Sequence, residues 1–335
     1  MQYDPNLISA IGPAVRCQTS PILSKQMFQS CDLSALGPDP MGNINGPSIM
    51  RVPDWVINPL GAYYLYFAHH KGTSIRLAYA DYITGPWRMH PEPVLHLKNS
   101  LFVTNDLDPT SRKHWVNGPE YLYAHIASPD VHIDPSKKQI MMFFHGLLSD
   151  GDQQTRLATS SNGLTFAATA PLLGPSYLRA FHWYDRWYST HLWGEMGVLD
   201  TFSKPPEIMP HTSIPKEITV APHSKIRHGQ VCILQNHAYF VFSRIGDYPE
   251  QVLLCRIAPA LDPAQWRFGP VTTLLSPTHH WEGFGGTVMK SVEGSAKHLG
   301  PELRDPCLFY DGGFLWLLYS GGGERGIGLA KIDHY

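Results

Sequence analysis

The chain repeats itself. Five times it offers a short polar lead segment, then an aromatic-rich run at strand spacing, then a second apolar run. The first copy reads Gly46-Pro47-Ser48-Ile49-Met50, AYYLYFAH over 62–69 and IRLAYAD over 75–81. The second reads Ser128-Pro129-Asp130-Val131-His132, QIMMFFH over 139–145 and TRLATS over 155–160. The third, weaker, has Gly174-Pro175-Ser176-Tyr177-Leu178, RWYSTHLW over 186–193 and an apolar run over 196–202. The fourth has Arg227-His228-Gly229-Gln230-Val231, HAYFVFSRI over 237–245 and QVLLCRI over 251–257. The fifth has Arg304-Asp305-Pro306-Cys307-Leu308, FLWLLYS over 314–320 and IGLAKI over 327–332. The lead points Ser48, Ser128, Pro175, His228 and Asp305 are 80, 47, 53 and 77 residues apart, the spread of similar units carrying unequal insertions. Units that bury a face only by stacking on their neighbours confine the chain to a repeat architecture.

β-branched and aromatic residues at strand spacing, bounded by turns such as Asp311-Gly312-Gly313, point to strands throughout. Glycine and proline at 29 each suit many short strands joined by tight turns. The fold class expected is all-β, a five-bladed β-propeller, in which radial repetition protects the strand edges. Five blades of roughly 40 to 50 residues fit the length. The fifth unit ends without room for an outer strand, so a segment before Gly46 is expected to supply it, closing the ring between the two ends of the chain. Residues 1–41 are then an N-terminal segment that contributes a closing strand, and residues 42–335 form the propeller catalytic domain. A β-sandwich or a pair of smaller β domains could use the same strands, but neither requires the triplet to recur in register.

Composition narrows the partners. With 26 Lys+Arg against 28 Asp+Glu, a formal charge of −2, the chain has no field to draw it to nucleic acid or an anionic membrane. No run approaches the roughly 20 apolar residues that span a bilayer. The first ten residues lack a basic and then apolar leader, so the expectation is cytoplasmic, with secretion after signal removal as the alternative. The five cysteines, at 17, 31, 232, 255 and 307, have no C-x-x-C spacing. Cys17 and Cys31 are near enough in sequence to bridge. The partner that remains is a small molecule; oligomeric state is left open.

In a propeller the innermost strands line a central channel, so a site would draw one or two residues from each lead segment and from the ends of the second strands. The residues so gathered are Asn45, His69, His70, Lys71, His125, Asp130, His145, Tyr177, Arg179, Arg227, His228, Arg244, Arg304 and Asp305, with Trp281 and Glu282 from the stretch before the fifth unit. Eighteen histidines could include a transition-metal set drawn from His69, His70, His125, His145 and His228, but no short helical His spacing supports it. No cofactor is expected; an axial calcium or a histidine-bound metal is the alternative.

Several stretches resemble the five-bladed propeller glycosidases, and among them proteins of the family 43 kind whose activity is unknown. These are NINGPS over 43–48, AHHKG over 68–72, IRLAYAD over 75–81, HIASPDVH over 125–132, FHG over 144–146, SRIGD over 243–247, WEG over 281–283 and LRDP over 303–306. The resemblance spans roughly residues 42–333. It implies an Asp base at the first lead segment, a pKa-tuning Asp at the second and a Glu acid at the third, because glycoside hydrolysis needs a proton donor and a base or nucleophile. Here those places read Gly46, Ser128, and Pro175 or Ser176. The complete Asp-Pro pattern stands at Asp305, so the catalytic constellation has moved around the ring or the ancestral chemistry is gone.

Asp305 is accordingly the expected base, and Glu282 or His228 the acid. The others above would bind substrate. The first functional reading is a glycoside hydrolase-like enzyme acting on a terminal sugar or small glycoside in an axial pocket. The second is a non-hydrolytic cyclase that steers a hydrophobic natural-product intermediate through cyclisation or hetero-Diels–Alder cycloaddition, a task that needs no carboxylate pair. The third is a sugar-binding propeller without turnover.

Overall fold

The structure is a computed structural model, described over residues 1–29, 31–36, 41–108, 122–209, 214–219, 225–260, 262–296 and 300–334. Its strands form five sheets, and among the described residues the α-helix is confined to the single turn Lys216–Thr219. By internal contacts the chain divides into two compact units.

One unit comprises Ile22–Leu178 and Phe202–Pro205 and holds two sheets. The first runs Asn45–Arg51, Tyr63–Ala68, Ser74–Ala80 and Arg88–Met89, with Leu95–His96 also paired to its third strand. The second runs Ile126–Asp134, Gln139–Leu147, Gln153–Ser160 and Ala167–Ala168. All neighbours within these sheets are antiparallel. The aromatic runs become the second strands because both of their faces are covered: Tyr64, Tyr66, Phe67, Phe143 and Phe144 are essentially fully buried. One apolar cluster joins the two sheets through Tyr66, Leu77, Ile126, Met142 and Phe166. Each such side chain stabilises the fold by about 1.5–3 kcal/mol relative to exposure.

The other unit comprises Met1–Pro21, Arg179–Thr201 and Pro206–Tyr335 and holds three sheets. The first of these runs Arg179–Trp183, Arg186–Thr190, Met196–Val198 and Glu207–Met209. Its innermost strand therefore begins after the lead segment 174–178, a correction to the sequence reading, and its second strand stops at Thr190. The next runs Lys225–Leu234, His237–Ile245, Val252–Ala258 and Arg267–Phe268. The last runs Leu303–Asp311, Phe314–Gly321 and Gly326–His334, and its outer strand is Ile11–Arg16, antiparallel to Gly326–His334. The expected closing strand thus exists, and the sequence missed a second one: Gln2–Tyr3 adds in parallel to Arg267–Phe268. Cys17 and Cys31 are unbridged, exposed thiols.

Four innermost strands share one irregularity. Two consecutive residues face a single partner residue: Gly46-Pro47 opposite Phe67, Ser128-Pro129 opposite Phe144, Arg227-His228 opposite Ser243, and Asp305-Pro306 opposite Tyr319. These are β-bulges, which re-aim side chains. Gly46, Ser128 and Asp305 all stand at positive φ, +58°, +51° and +52°. A left-handed conformation costs a non-glycine residue about 1–2 kcal/mol. The residue before a proline is normally extended, so Ser128 and Asp305 are held there by the surrounding sheet.

Candidate active site

In the three-sheet unit, the bulges of the last two sheets place Asp305 Oδ1 2.8 Å from His228 Nε2, with both side chains nearly buried. The sequence named both residues, and the structure joins them into one dyad. At that distance they cannot flank a glycosidic bond as separate acid and base, which requires carboxyl groups roughly 5 to 9.5 Å apart. They can work as one arm: the carboxylate fixes the tautomer and orientation of the imidazole, as in other Asp–His pairs.

Directly before each dyad member stands an arginine, and these two enter a buried ionic cluster. Arg227 donates from Nε and Nη2 to the two oxygens of Glu250, both at 2.8 Å. Glu250 also accepts from Ser243 Oγ at 2.7 Å and lies 3.4 Å from Arg304 Nε. Arg304 further donates to Glu302 at 2.8 Å and to Glu324 at 3.1 Å. Burial opposes the Arg304 charge, but Glu250, Glu302 and Glu324 outweigh it and hold the guanidinium above its usual range. Burial likewise opposes the Glu250 charge, yet Arg227 and Arg304 carry its pKa below the ordinary value. Arg227 and Arg304, expected to bind substrate, are instead committed to internal ion pairs, since a guanidinium at this depth needs charged partners.

Glu282 needs the same correction. It is fully buried and accepts from Arg16 Nε at 2.7 Å and Nη2 at 2.8 Å, Thr278 N–H at 2.8 Å, His279 N–H at 3.0 Å and Tyr319 Oη at 2.8 Å. Burial alone would raise its pKa, but Arg16, the two amides and Tyr319 bring it below the usual value. A carboxylate so saturated stays ionised and has no proton to give. Its task is to latch the closing strand Ile11–Arg16 to the loop before the fifth unit. Trp281 beside it stacks on Tyr319, ring centroids 5.8 Å apart, and belongs to the packing rather than to a sugar platform. Arg244 pairs with Asp247 at 3.0 Å, and Arg179 is buried.

In the two-sheet unit, the predicted residues are mainly amides, imidazoles and a phenol. Asn43 Oδ1 accepts from Asn45 Nδ2 at 3.0 Å and from the His70 amide at 3.2 Å, while Asn45 Oδ1 is buried with no hydrogen-bond partner among the described residues. The His125 ring meets the ring of His145 edge-on at 5.6 Å, and Tyr177, itself at positive φ, lies tilted over His145 at 4.6 Å. Burial pushes His125 down to about 4, against the carbonyl of Tyr123, so the ring is neutral at physiological pH. The His69 ring accepts from the Lys71 amide, and the Lys71 ammonium sits 4.9 Å from the Tyr123 ring. Asp130 Oδ2 lies 2.8 Å from His132 Nε2, a contact of the same length as that in the dyad. Gly46 faces the second bulge so closely that a Cβ on it would lie 3.3 Å from Ser128 Cα. Among the described residues no group of three His, Cys, Asp or Glu side chains could hold a metal ion.

Sequence reasoning missed Glu250 and Glu302. The signal for Glu302 was available, a glutamate two residues before Arg304 on the same strand approach, but Glu250 joins the cluster across more than twenty residues of intervening sheet.

No family model matches the chain. It is 27% identical over 347 aligned residues to an uncharacterized protein of Acanthamoeba polyphaga mimivirus, covering 95% of this chain and 90% of that one. Among solved structures it is similar to one from Bacteroides ovatus assigned to the glycoside hydrolases, with a TM-score of 0.61, 12% identity, and 96% and 97% of the two chains covered. It is similar as well to a family 43 subfamily 1 enzyme from Xanthomonas citri complexed with xylose, with a TM-score of 0.56, 12% identity, and coverage of 94% and 89%. A family 43 β-xylosidase/α-arabinofuranosidase from a compost microbial metagenome, complexed with xylotriose, gives 0.55, 11%, 96% and 94%. The fold is therefore a five-bladed β-propeller of the type found in family 43 glycoside hydrolases.

Proposed function

We propose that this protein is a glycoside hydrolase-like enzyme acting on a terminal sugar or small glycoside, with Asp305 and His228 as its proton-handling dyad. The observation that carries the reading is the 2.8 Å Asp305–His228 contact at two bulges of a glycosidase-type propeller. Asp305 keeps the imidazole oriented, and His228 takes a proton from water or returns one to the leaving oxygen. With Nε2 engaged by Asp305, a proton exchanged with substrate passes through the opposite ring nitrogen. The similar structures, in complex with xylose or xylotriose, suggest pentose glycosides as the first substrates to try.

The carboxylates absent at Gly46 and Ser128 favour a second reading, a non-hydrolytic cyclase on a glycosidase scaffold. A single dyad suffices to orient an intermediate and move one proton, whereas glycoside hydrolysis asks for a second arm.

The test is a panel of aryl β-xylosides and α-arabinofuranosides with the parent protein and Asp305→Asn. Release of sugar by the parent, lost in the variant with an unchanged circular dichroism spectrum, supports hydrolysis. Equal turnover by both proteins overturns the role of the dyad. No release by the parent, over long incubation, overturns hydrolysis and leaves the cyclase reading or binding without turnover.

A further inference from the structure

The buried cluster does not balance. Among the described residues, Arg227 and Arg304 contribute two positive charges, and Glu250, Glu302 and Glu324 three carboxylates. Glu250 is saturated and Glu324 is paired, so the surplus falls on Glu302. Its Oε2 accepts from Arg304, but its Oε1 is buried with no hydrogen-bond partner among the described residues. An ionised carboxylate with one oxygen in that state costs far more than a protonated one.

The same two guanidiniums hold a loop in place. Arg227 donates to Val292 O at 2.8 Å and Gly294 O at 3.3 Å, and Arg304 donates to Gly294 O at 3.1 Å. Ser291 ties the loop to the turn 244–247 by accepting from Gly246 N–H at 2.9 Å and donating to Arg244 O at 3.2 Å. The loop exposes the side chains of Phe284, Val288, Met289 and Val292, which add little burial to hold it down. The attachment of residues 283–296 thus rests mainly on polar contacts, two sets of which come from the unbalanced cluster.

We propose that Glu302 is a proton-controlled latch: with its proton on, the cluster is neutral and the loop 283–296 stays docked on Arg227 and Arg304; with its proton off, the surplus buried charge is relieved by water entering the cluster and the loop lifting. The groups that face Glu302 agree with this. Arg304 draws it toward ionisation, with Arg227 behind. Glu250, across the bridge that pairs it with Glu302, and Glu324, from the turn before the last strand, both push the other way. On the far side, the Glu302 amide donates to the carbonyl of Glu282, whose own charge is neutralised by Arg16. Lys290 and Glu293 on the loop itself are exposed and of opposite sign. Burial together with the two glutamates places Glu302 at about 7, so the latch would operate within the physiological range. Arg227 and Arg304 immediately precede His228 and Asp305, so the loop's docking is one residue removed from the dyad in both strands.

The latch does not depend on which reaction the dyad performs, and its test needs no substrate. Amide hydrogen exchange of residues 283–296, corrected for intrinsic rates, is followed from about pH 5.5 to about pH 8.5 in the parent and in Glu302→Gln. The expected result is roughly tenfold faster exchange in the parent above about pH 7, with no such step in the variant. Infrared difference spectra provide the second measurement: the parent should lose a protonated carboxyl band across the same interval, and the variant should lack it. A parent loop whose exchange is pH-independent, or a step equally present in Glu302→Gln, overturns the proposal. If Glu302→Gln does not fold, the absence of a titrating carboxyl band in the parent alone overturns it.

Discussion

The bulges of the two-sheet unit and those of the three-sheet unit have the same two-against-one pairing but opposite chemistry. At Gly46 and Ser128 the neighbours are amides, imidazole and tyrosine rings and the Asp130–His132 pair; at Arg227-His228 and Asp305 they are two guanidiniums and several carboxylates. Gly46, Ser128 and Asp305 even share nearly the same φ. The backbone device therefore belongs to the fold, and the reactivity belongs to whichever side chain occupies it.

The widest separation between the two regions should appear in turnover. Asp305→Asn is expected to lower kcat/KM by about 10²–10⁴-fold, while Ser128→Ala, at the matching bulge, should change it less than tenfold; steady-state kinetics on an aryl glycoside decides. Similar losses from both would erase the contrast. Stability should separate them next. Arg304→Met leaves three carboxylates facing Arg227 alone and should cost about 3–5 kcal/mol in urea unfolding.

Acid should then distinguish the regions by where it acts. His125 has a folded pKa depressed to about 4, so its contribution is present above its unfolded value of 6.5 and fades as pH falls from there toward about 4. Glu250 and Glu282 are also depressed, but from 4.5, so their contributions are present above that value and fade only as pH falls through their lower folded values. His125→Gln should remove the earlier slope and keep the later one, as read from stability curves at stepped pH. The smallest effect concerns the backbone: Ser128→Gly should gain about 0.5–1 kcal/mol by relieving its left-handed φ, and Gly46→Ala should lose about 1–2 kcal/mol. A neutral outcome for both would mean that the bulge conformations carry no strain.

The triplet of lead segment, aromatic run and apolar run was legible because burial on both faces writes itself into consecutive residues such as YYLYFA. The third sheet was misplaced because it has no X-Pro bulge to mark its innermost strand, and Arg179–Trp183 begins only after the segment that looked like a lead. The dyad was half legible. Asp305 advertises itself before a proline, whereas His228 occupies the place that proline takes in the other bulges, and its contact with Asp305 spans two sheets. Glu282 and the arginines misled for one reason: a charged residue in a sequence reads as available, and only coordinates reveal that its hydrogen-bonding capacity is already filled.

The outer strand Ile11–Arg16 has a consequence for how the polypeptide emerges during synthesis. Arg16 pairs with Ala330, so this strand is made long before its partner. Until Gly326–His334 has been made, the strand Ile11–Arg16 has no mate and Ile11 and Ala14 have no cover. Closures this distant in sequence form slowly, and an unmatched flank invites association with another molecule. Lesions in this short stretch should therefore surface first as poor yield and clumping in the cell, even where the finished molecule tolerates them.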